Sequence, residues 1–235
     1  MRLKALHERI PGLFEELGFP LVEYPDGADN PCIRDKHRYY VVGAGYQTAY
    51  DEFPSLRPEL KLELIQRQPL LPLERREFGY LYESLADLPP TATLAIDCVS
   101  IAETAAEKVL SLLRRCAYQW DGYQATGEMD PALVRHVYDV AHIAERTSSS
   151  LTAARDIFPQ LVQNDRHEFR RQNPEFDADP VGVLKRTLAT AGTNGKLLEQ
   201  YTKHLMPLVY DMEPPTFKEA FQVFEHVASN FLAAC

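Results

Sequence analysis

Apolar residues recur with helical spacing in two segments between residues 101 and 144. In the first segment the apolar positions are Ala102, Ala106, Val109, Leu113 and Cys116. In the second segment they are Leu133, Val137, Val140, Ala141 and Ala144. Residues spaced by three and four positions share one face of a helix. The pattern therefore predicts two amphipathic helices, each with its apolar stripe in the core.

Each of these two helices carries one charged residue beside its apolar stripe. Lys108 lies at the edge of the packed face, in line with small and apolar residues. Its ammonium either keeps its charge in water or reaches into a cleft, where a point cation suits phosphate. Asp139 follows Arg135 by one turn, so it either forms a surface i,i+4 pair with Arg135 or faces Lys108 from the neighbouring helix. The pattern alone leaves both alternatives open.

Strand patterns occur in the first hundred residues. Aromatic and β-branched residues predict a strand around 38–44. The segment Leu60 to Arg67 alternates cleanly, which predicts that its leucines face the core. Its other face, with Glu63 and Arg67, is either open to water or the floor of a site. Residues 68–93 are rich in proline and are interpreted as a connection, followed by a last short strand within 91–99.

Helical spacing dominates the remainder of the chain. Residues 3–17 predict a helix interrupted at Pro11 and capped by Gly18. Further helices are predicted, with proline and glycine between them, at 151–173, 180–190, 195–210 and 216–233. In the last of these, the stripe Phe217, Phe221, Phe224 and Val227 is either core or a partner-binding face. Together the patterns predict an α+β fold.

We expect a small mixed β-sheet in residues 1–100 and a larger helical bundle in residues 101–235. The net charge of −9 argues against a general nucleic-acid coat but permits a local basic patch. Four cysteines without metal-ligand spacing are typical of reduced thiols in a cytoplasmic protein. No stretch is long and apolar enough to span a membrane, so no membrane partner is expected.

Three segments carry a resemblance to a known family. These are LKLELIQR at 60–67, AAEKVLSLLRR at 105–115 and RHVYDV at 135–140. In this order and spacing they resemble the AbiEii/AbiGii-type nucleotidyltransferases, the toxin components of abortive-infection and toxin–antitoxin systems, with MenT-type relatives. The resemblance runs from about residue 35 to the C-terminus. His136 departs from it, because many relatives carry Asp there.

The resemblance implies transfer of an NMP unit from an NTP to the acceptor end of a tRNA or to a protein hydroxyl. It implies catalytic roles for Lys108, Asp139 and Glu63, with Glu63 at the edge of a metal site, and Mg²⁺ as the cofactor. Lys108, Arg67 and Arg135 would bind the nucleotide. Residues 1–100 would then be a partial nucleotidyltransferase core, and a cognate antitoxin would be a partner.

One part of the family pattern is not found in this sequence. Relatives begin with a Gly-Gly-Ser/Thr turn and an Asp-x-Asp pair on a strand, which holds the metal ions. The Asp-x-Asp at 177–179 lies far downstream, in what is interpreted as a helix connection. We therefore expect either a chain without its first segment or, alternatively, an inactive relative that serves as a protein- or RNA-binding module.

Overall fold

The chain divides after Gln68 into two units, Met1–Gln68 and Pro69–Cys235. The structure, a computed structural model, describes residues 3–22, 33–34, 39–48, 58–123 and 131–235. Residues 69–100 group with the helical part in this division, whereas the sequence analysis assigns them to the N-terminal region. The predicted boundary at residue 100 stays a prediction about functional domains.

The first unit contains one helix and a three-stranded sheet. Helix α1 spans Leu3–Glu16. The strands are β1 (Ile33–Arg34), β2 (Tyr39–Gly45) and β3 (Glu59–Ile65). The predicted interruption of α1 is wrong, because the helix continues through Pro11. Gly18 ends it as predicted, with a φ of 80° that favours glycine.

Strands β1, β2 and β3 pair in that order, and both ladders are antiparallel. Strand β2 is the buried strand: Tyr40, Val41, Val42 and Ala44 lie in the core. In β3, by contrast, Leu60 and Leu62 are exposed, so the prediction of a core face on this strand is wrong. Alternation fixes which side chains share a face of a strand, but it does not determine whether another element covers that face.

The second unit begins with a two-stranded antiparallel sheet. It pairs β4 (Glu74–Phe78) with β5 (Leu94–Cys98), and the short helix α2 (Leu81–Leu85) lies between them. Strand β5 matches the predicted last strand, whereas β4 falls in the segment interpreted as a connection. Most residues of β4 are charged and exposed. Its sequence therefore lacks the apolar alternation that identifies a half-buried strand.

Seven α-helices follow β5 in the described part of the second unit. They are α3 (Ile101–Trp120), α4 (Arg135–Arg146), α5 (Ser150–Phe169), α6 (Pro174–Ala178), α7 (Pro180–Ala191), α8 (Gly195–Gln200) and α9 (Phe217–Leu232). A 3-10 turn at Pro131–Val134 leads into α4. A π-helical turn at Tyr201–Leu205 and a 3-10 turn at Met206–Leu208 extend α8. The predicted helices after Asp139 are confirmed, with small shifts at their ends.

Helix α3 is central to the core of this unit and packs against α4, α5 and α7. The hydroxyl of Ser100 accepts a hydrogen bond from the Glu103 amide and caps the helix. The Glu103 carboxylate accepts hydrogen bonds from the backbone amides of Leu70 and Leu71. The start of α3 is thereby attached to the chain before β4.

The apolar stripes of the two motif helices lie in the core, as predicted. All five stripe residues of α3 are buried, and Leu133, Val137, Val140 and Ala141 are buried in the second segment. The phenylalanine stripe of α9 is also buried, so the partner-binding alternative for it is wrong.

The predicted α+β class is confirmed. The strand arrangement differs from the prediction: the described strands form two antiparallel sheets rather than one mixed sheet. All three of the described strand pairs are antiparallel. Parallel strands would need a crossover connection between them.

Candidate functional site

Lys108 and Asp139 meet between helices α3 and α4. The Lys108 ammonium donates a hydrogen bond to Oδ2 of Asp139, with 2.7 Å between the two atoms. The side chains are 23% and 33% exposed, so the pair is shielded but accessible. The predicted contact is therefore confirmed. Among the described ion pairs, Asp139 has no contact with Arg135, the alternative that the helix pattern left open.

The ion pair opens onto a pocket of about 380 Å³. The pocket is lined by Lys108, Tyr138, Asp139, His142, Ile143 and Arg146. Five of these residues belong to α4, at spacings of three, four and seven positions. They share one helix face because such spacings return to the same side of a helix. Packing of the opposite, apolar face of α4 holds this polar face toward the pocket.

The charges of the pocket favour an anionic ligand. Two of its lining residues, Lys108 and Arg146, are cations, and Asp139 is the one carboxylate among the six. A lysine ammonium has three N–H donors, and Asp139 accepts from one of them. The pair is partly shielded from solvent, and an electrostatic contact is stronger in such surroundings than in water.

His136 lies half-buried on α4, next to the ion pair. Its pKa is lowered to about 3, first by burial and then by the positive charges of Lys108, Arg135 and Arg115. The imidazole is therefore neutral at pH 7, and its Nδ1 atom is shielded without a hydrogen-bond partner.

Tyr138 contributes a phenol to the pocket wall. Its pKa is raised, first by burial and then by the negative charge of Asp211. The phenol therefore stays protonated at neutral pH and can donate a hydrogen bond to a ligand oxygen. Burial likewise raises the pKa of Tyr201 to about 12, and the hydroxyl of Tyr201 donates to the Pro215 carbonyl oxygen.

The other predicted site residues are Glu63, Arg67 and Arg135. Glu63 belongs to the first unit, where its Oε1 accepts from the Tyr39 hydroxyl at 2.9 Å and pairs with the Lys61 ammonium at 2.7 Å. Arg67 follows β3 in the same unit. Arg135 is exposed at the start of α4 and is not among the residues that line the pocket. Their roles stay predictions.

Sequence reasoning missed His142 and Arg146. The signal was present, because these residues follow Asp139 by three and seven positions and so share its helix face. Asp139 belongs to the motif at 135–140, whereas His142 and Arg146 lie beyond it.

A two-metal centre of the kind implied by the resemblance needs several carboxylates. The described pocket offers Asp139, which is bonded to Lys108, and the described residues contain no cluster of three metal-ligating side chains. The downstream Asp-x-Asp does not supply one: Asp177 pairs with Arg166, and Asp179 caps α7 by accepting from the Gly182 amide. The pocket residues alone therefore do not fit two metal ions.

A partly shielded lysine–carboxylate pair thus borders a pocket in the helical part of the chain. The family model described as nucleotidyl transferase AbiEii toxin, Type IV TA system, matches residues 2–223. The chain belongs to this family of nucleotidyltransferase-like toxins. Membership implies a nucleotide substrate and a cognate antitoxin. A search of curated proteins and a search of solved structures each find no match.

No helix in the described residues combines the length and apolar character needed to cross a membrane.

Proposed function

We propose that this chain transfers an NMP unit from an NTP to a hydroxyl at the acceptor end of a tRNA, with a protein hydroxyl as the second candidate acceptor. The observation that carries the proposal is the contact of Lys108 with Asp139 at the wall of an open pocket, 31 residues apart in the sequence. Family membership supports the transfer of a nucleotide. The acceptor is the part that experiment must decide.

In the proposed reaction the hydroxyl oxygen of the acceptor attacks the α-phosphorus of the NTP. A new P–O bond forms, the bond to the β-phosphate oxygen breaks, pyrophosphate leaves, and the hydroxyl proton passes to solvent. Positioning and neutralisation of charge supply most of the catalysis in such reactions. Lys108 is the residue that supplies positive charge to the phosphates.

Asp139 positions Lys108 in this proposal. Its hydrogen bond of 2.7 Å fixes the position of the ammonium. A lysine has several rotatable bonds, so the contact also lowers the entropy that would be lost when phosphate binds. Replacement of Asp139 by Asn would preserve the shape of the site but weaken this positioning.

Glu63, Arg67 and Arg135 are proposed to assist the transfer. Arg67 and Arg135 would contact the nucleotide through charge-assisted hydrogen bonds, and Glu63 would serve at a metal edge. Mg²⁺ is part of the proposal through the family resemblance. The pocket residues by themselves do not provide a two-metal ligand set.

A transfer assay with labelled NTPs and total tRNA tests the proposal. The 235-residue chain is compared with Lys108→Ala, Asp139→Asn and the control Lys218→Ala, which removes an exposed lysine of α9. We expect label on tRNA with the intact chain and with the control, and its loss with the Lys108 variant. Addition of EDTA, followed by Mg²⁺, measures the metal requirement independently.

The alternative function is a protein- or RNA-binding module without turnover. It predicts no incorporation of label on RNA or protein and unchanged binding of RNA or protein by Lys108→Ala. Label on protein instead of tRNA would favour the second acceptor. Incorporation that persists in the Lys108 variant would contradict the proposed site.

A further inference from the structure

The wall of the pocket carries two polar side chains to which the proposed transfer gives no role. We propose that Arg146 and His142 form a second phosphate-binding position, at the end of the pocket away from the Lys108–Asp139 pair. This position serves the proposed transfer, and so its biological meaning rests on that function. Phosphate binding at this position, however, can be measured without turnover.

The geometry of α4 separates the two positions. Arg146 follows Asp139 by seven residues, which is about 10 Å along the helix axis. Both residues lie on the face of α4 that lines the pocket. The pocket wall therefore carries two cations: Lys108, contributed by α3, next to Asp139, and Arg146 two turns further along α4. A ligand with phosphates at more than one place along its length matches this arrangement.

Arg146 is suited to bind a phosphate. It is exposed at the last turn of α4, and the described ion pairs do not include it. Lys108, by comparison, shares its charge with Asp139. A guanidinium presents its N–H donors in a planar fork and binds phosphate through two parallel hydrogen bonds. The cation of the pocket with the greater capacity for a new anion is therefore Arg146.

His142 supports the same position with unused hydrogen-bonding capacity. Its ring packs on Tyr138, with 4.2 Å between the ring centroids. Both ring nitrogens are shielded from solvent and have no hydrogen-bond partner, and the Glu145 carboxylate is 3.7 Å from Nδ1, beyond hydrogen-bond distance. Shielded polar atoms are nearly always satisfied in proteins. These unused ring nitrogens, on a residue of the pocket wall, make His142 a candidate hydrogen-bond donor to a phosphate oxygen.

The phosphate has two possible sources with the same chemistry: the nucleotide or the backbone of the RNA acceptor. Equilibrium dialysis with tripolyphosphate and with each labelled NTP measures the first source. Binding of a synthetic tRNA acceptor-stem hairpin measures the second. The full chain is compared with Arg146→Ala, Arg146→Lys and the control Arg155→Ala, which removes an exposed arginine of α5 outside the pocket.

We expect Arg146→Ala to raise the Kd in at least one arm about tenfold relative to the control, because a charge-assisted contact to phosphate is lost. Arg146→Lys is expected to recover part of the loss, since it restores the charge but not the fork. Weaker tripolyphosphate and NTP binding assigns the position to the nucleotide, and weaker hairpin binding alone assigns it to the RNA. A Kd within twofold of the control in both arms overturns the proposal.

The role of His142 has its own readout in the unmodified protein. Its imidazole ¹⁵N signals, assigned by comparison with His142→Gln, should move on addition of the ligand that Arg146 binds. Signals that stay in place at saturation overturn the part of the proposal that concerns His142.

The proposed transfer and the second phosphate-binding position can be contradicted independently of each other. A chain without transfer whose phosphate or hairpin binding still depends on Arg146 contradicts the proposed function and supports the second position. Transfer that requires Lys108 but is unaffected by Arg146→Ala, with unchanged binding, supports the function and contradicts the second position.

Discussion

Helix α3 carries two cations that pair with carboxylates from different helices, in different surroundings. Arg114 contacts Asp165 of α5 through Nε at 2.8 Å, and the Phe169 ring lies 3.7 Å from its guanidinium carbon. These two charged side chains are only 16% and 11% exposed. The pair formed by Lys108 and Asp139 is more exposed and borders the pocket. Packing shields the contact between Arg114 and Asp165 from solvent, whereas the contact between Lys108 and Asp139 lies at the wall of the pocket.

The comparison separates a structural ion pair from a candidate site. Both pairs join α3 to another helix, so distance alone does not distinguish them. In the closed pair, formed by Arg114 and Asp165, the Phe169 ring and the Asp165 carboxylate cover the guanidinium, so a ligand has no access to it. In the open pair, formed by Lys108 and Asp139, the carboxylate accepts from one of the three N–H donors of the lysine, and both residues line the pocket. Substitutions should therefore affect stability at the closed pair and activity at the open pair.

The largest expected effect is on stability at the closed pair. Arg114→Ala leaves the Asp165 carboxylate shielded without its main partner, which should lower the free energy of unfolding by on the order of 3 kcal/mol. Urea denaturation measures it, with the exposed Arg155→Ala as the control. The double variant Arg114→Met, Asp165→Leu should recover much of the loss. A loss no larger than that of the control would contradict a structural role.

The next effect is on activity at the open pair. Lys108→Ala should reduce transfer about 100-fold, equivalent to roughly 2.7 kcal/mol of transition-state stabilisation. Its free energy of unfolding should change by about 1 kcal/mol or less, because a partly exposed ion pair contributes little. Steady-state rates and urea denaturation on the same samples measure both. A loss of stability comparable to that of Arg114→Ala would remove the distinction between the two pairs.

The pH dependence of stability sharpens the comparison through His136, beside the open pair. Its pKa is about 3 in the folded chain, against an ordinary value of 6.5. Between these values the unfolded chain holds a proton that the folded chain lacks. Stability therefore rises with pH and is lost as pH falls from 6.5 toward 3, by up to about 1.4 kcal/mol per pH unit.

We expect His136→Gln to remove this part of the slope in urea denaturation between pH 7.5 and 4.5. The surface variant His167→Gln serves as the control and should retain the slope of the unmodified chain. Equal slopes for the two variants would show that the His136 imidazole does not titrate as described.

The smallest expected effect is on the chemical reactivity of Cys116, which lies on the core face of α3. Burial raises the pKa of the Cys116 thiol to about 12, and the thiolate is the reactive form. Iodoacetamide at pH 8 should leave Cys116 unmodified in the folded chain and modify it in urea, as measured by peptide mass spectrometry. Cys98, which is only half-buried, is the internal comparison. Rapid modification of Cys116 without urea would mean that this face opens readily.

Much of the helical region was predictable from spacing. The stripes of α3 and α9 are buried as predicted, since an apolar face with a helical period has few stable alternatives to packing. Strand β4 was not predictable in the same way. Its residues are mostly charged and exposed, so its sequence has no apolar alternation, and it forms a strand by pairing with β5. The continuity of α1 through Pro11 was not predictable either, because a proline inside a helix locally favours a break.

The candidate site was predictable only in part. Motif resemblance identified Lys108 and Asp139, and the structure brings them into contact. His142 and Arg146 carry no motif, and their position beside the pair follows from the orientation of α4. For Glu63, Arg67 and Arg135 the predicted roles remain to be tested by substitution.

The sequence by itself determined the helices, their buried faces and the family, because period, composition and ordered motifs are local properties of the chain. Only the tertiary structure decided that Asp139 pairs with Lys108 and not with Arg135 one turn away. The physical reason is that this choice depends on how α3 and α4 pack. Their packing follows from the shapes of many buried side chains together, and so no single segment encodes it.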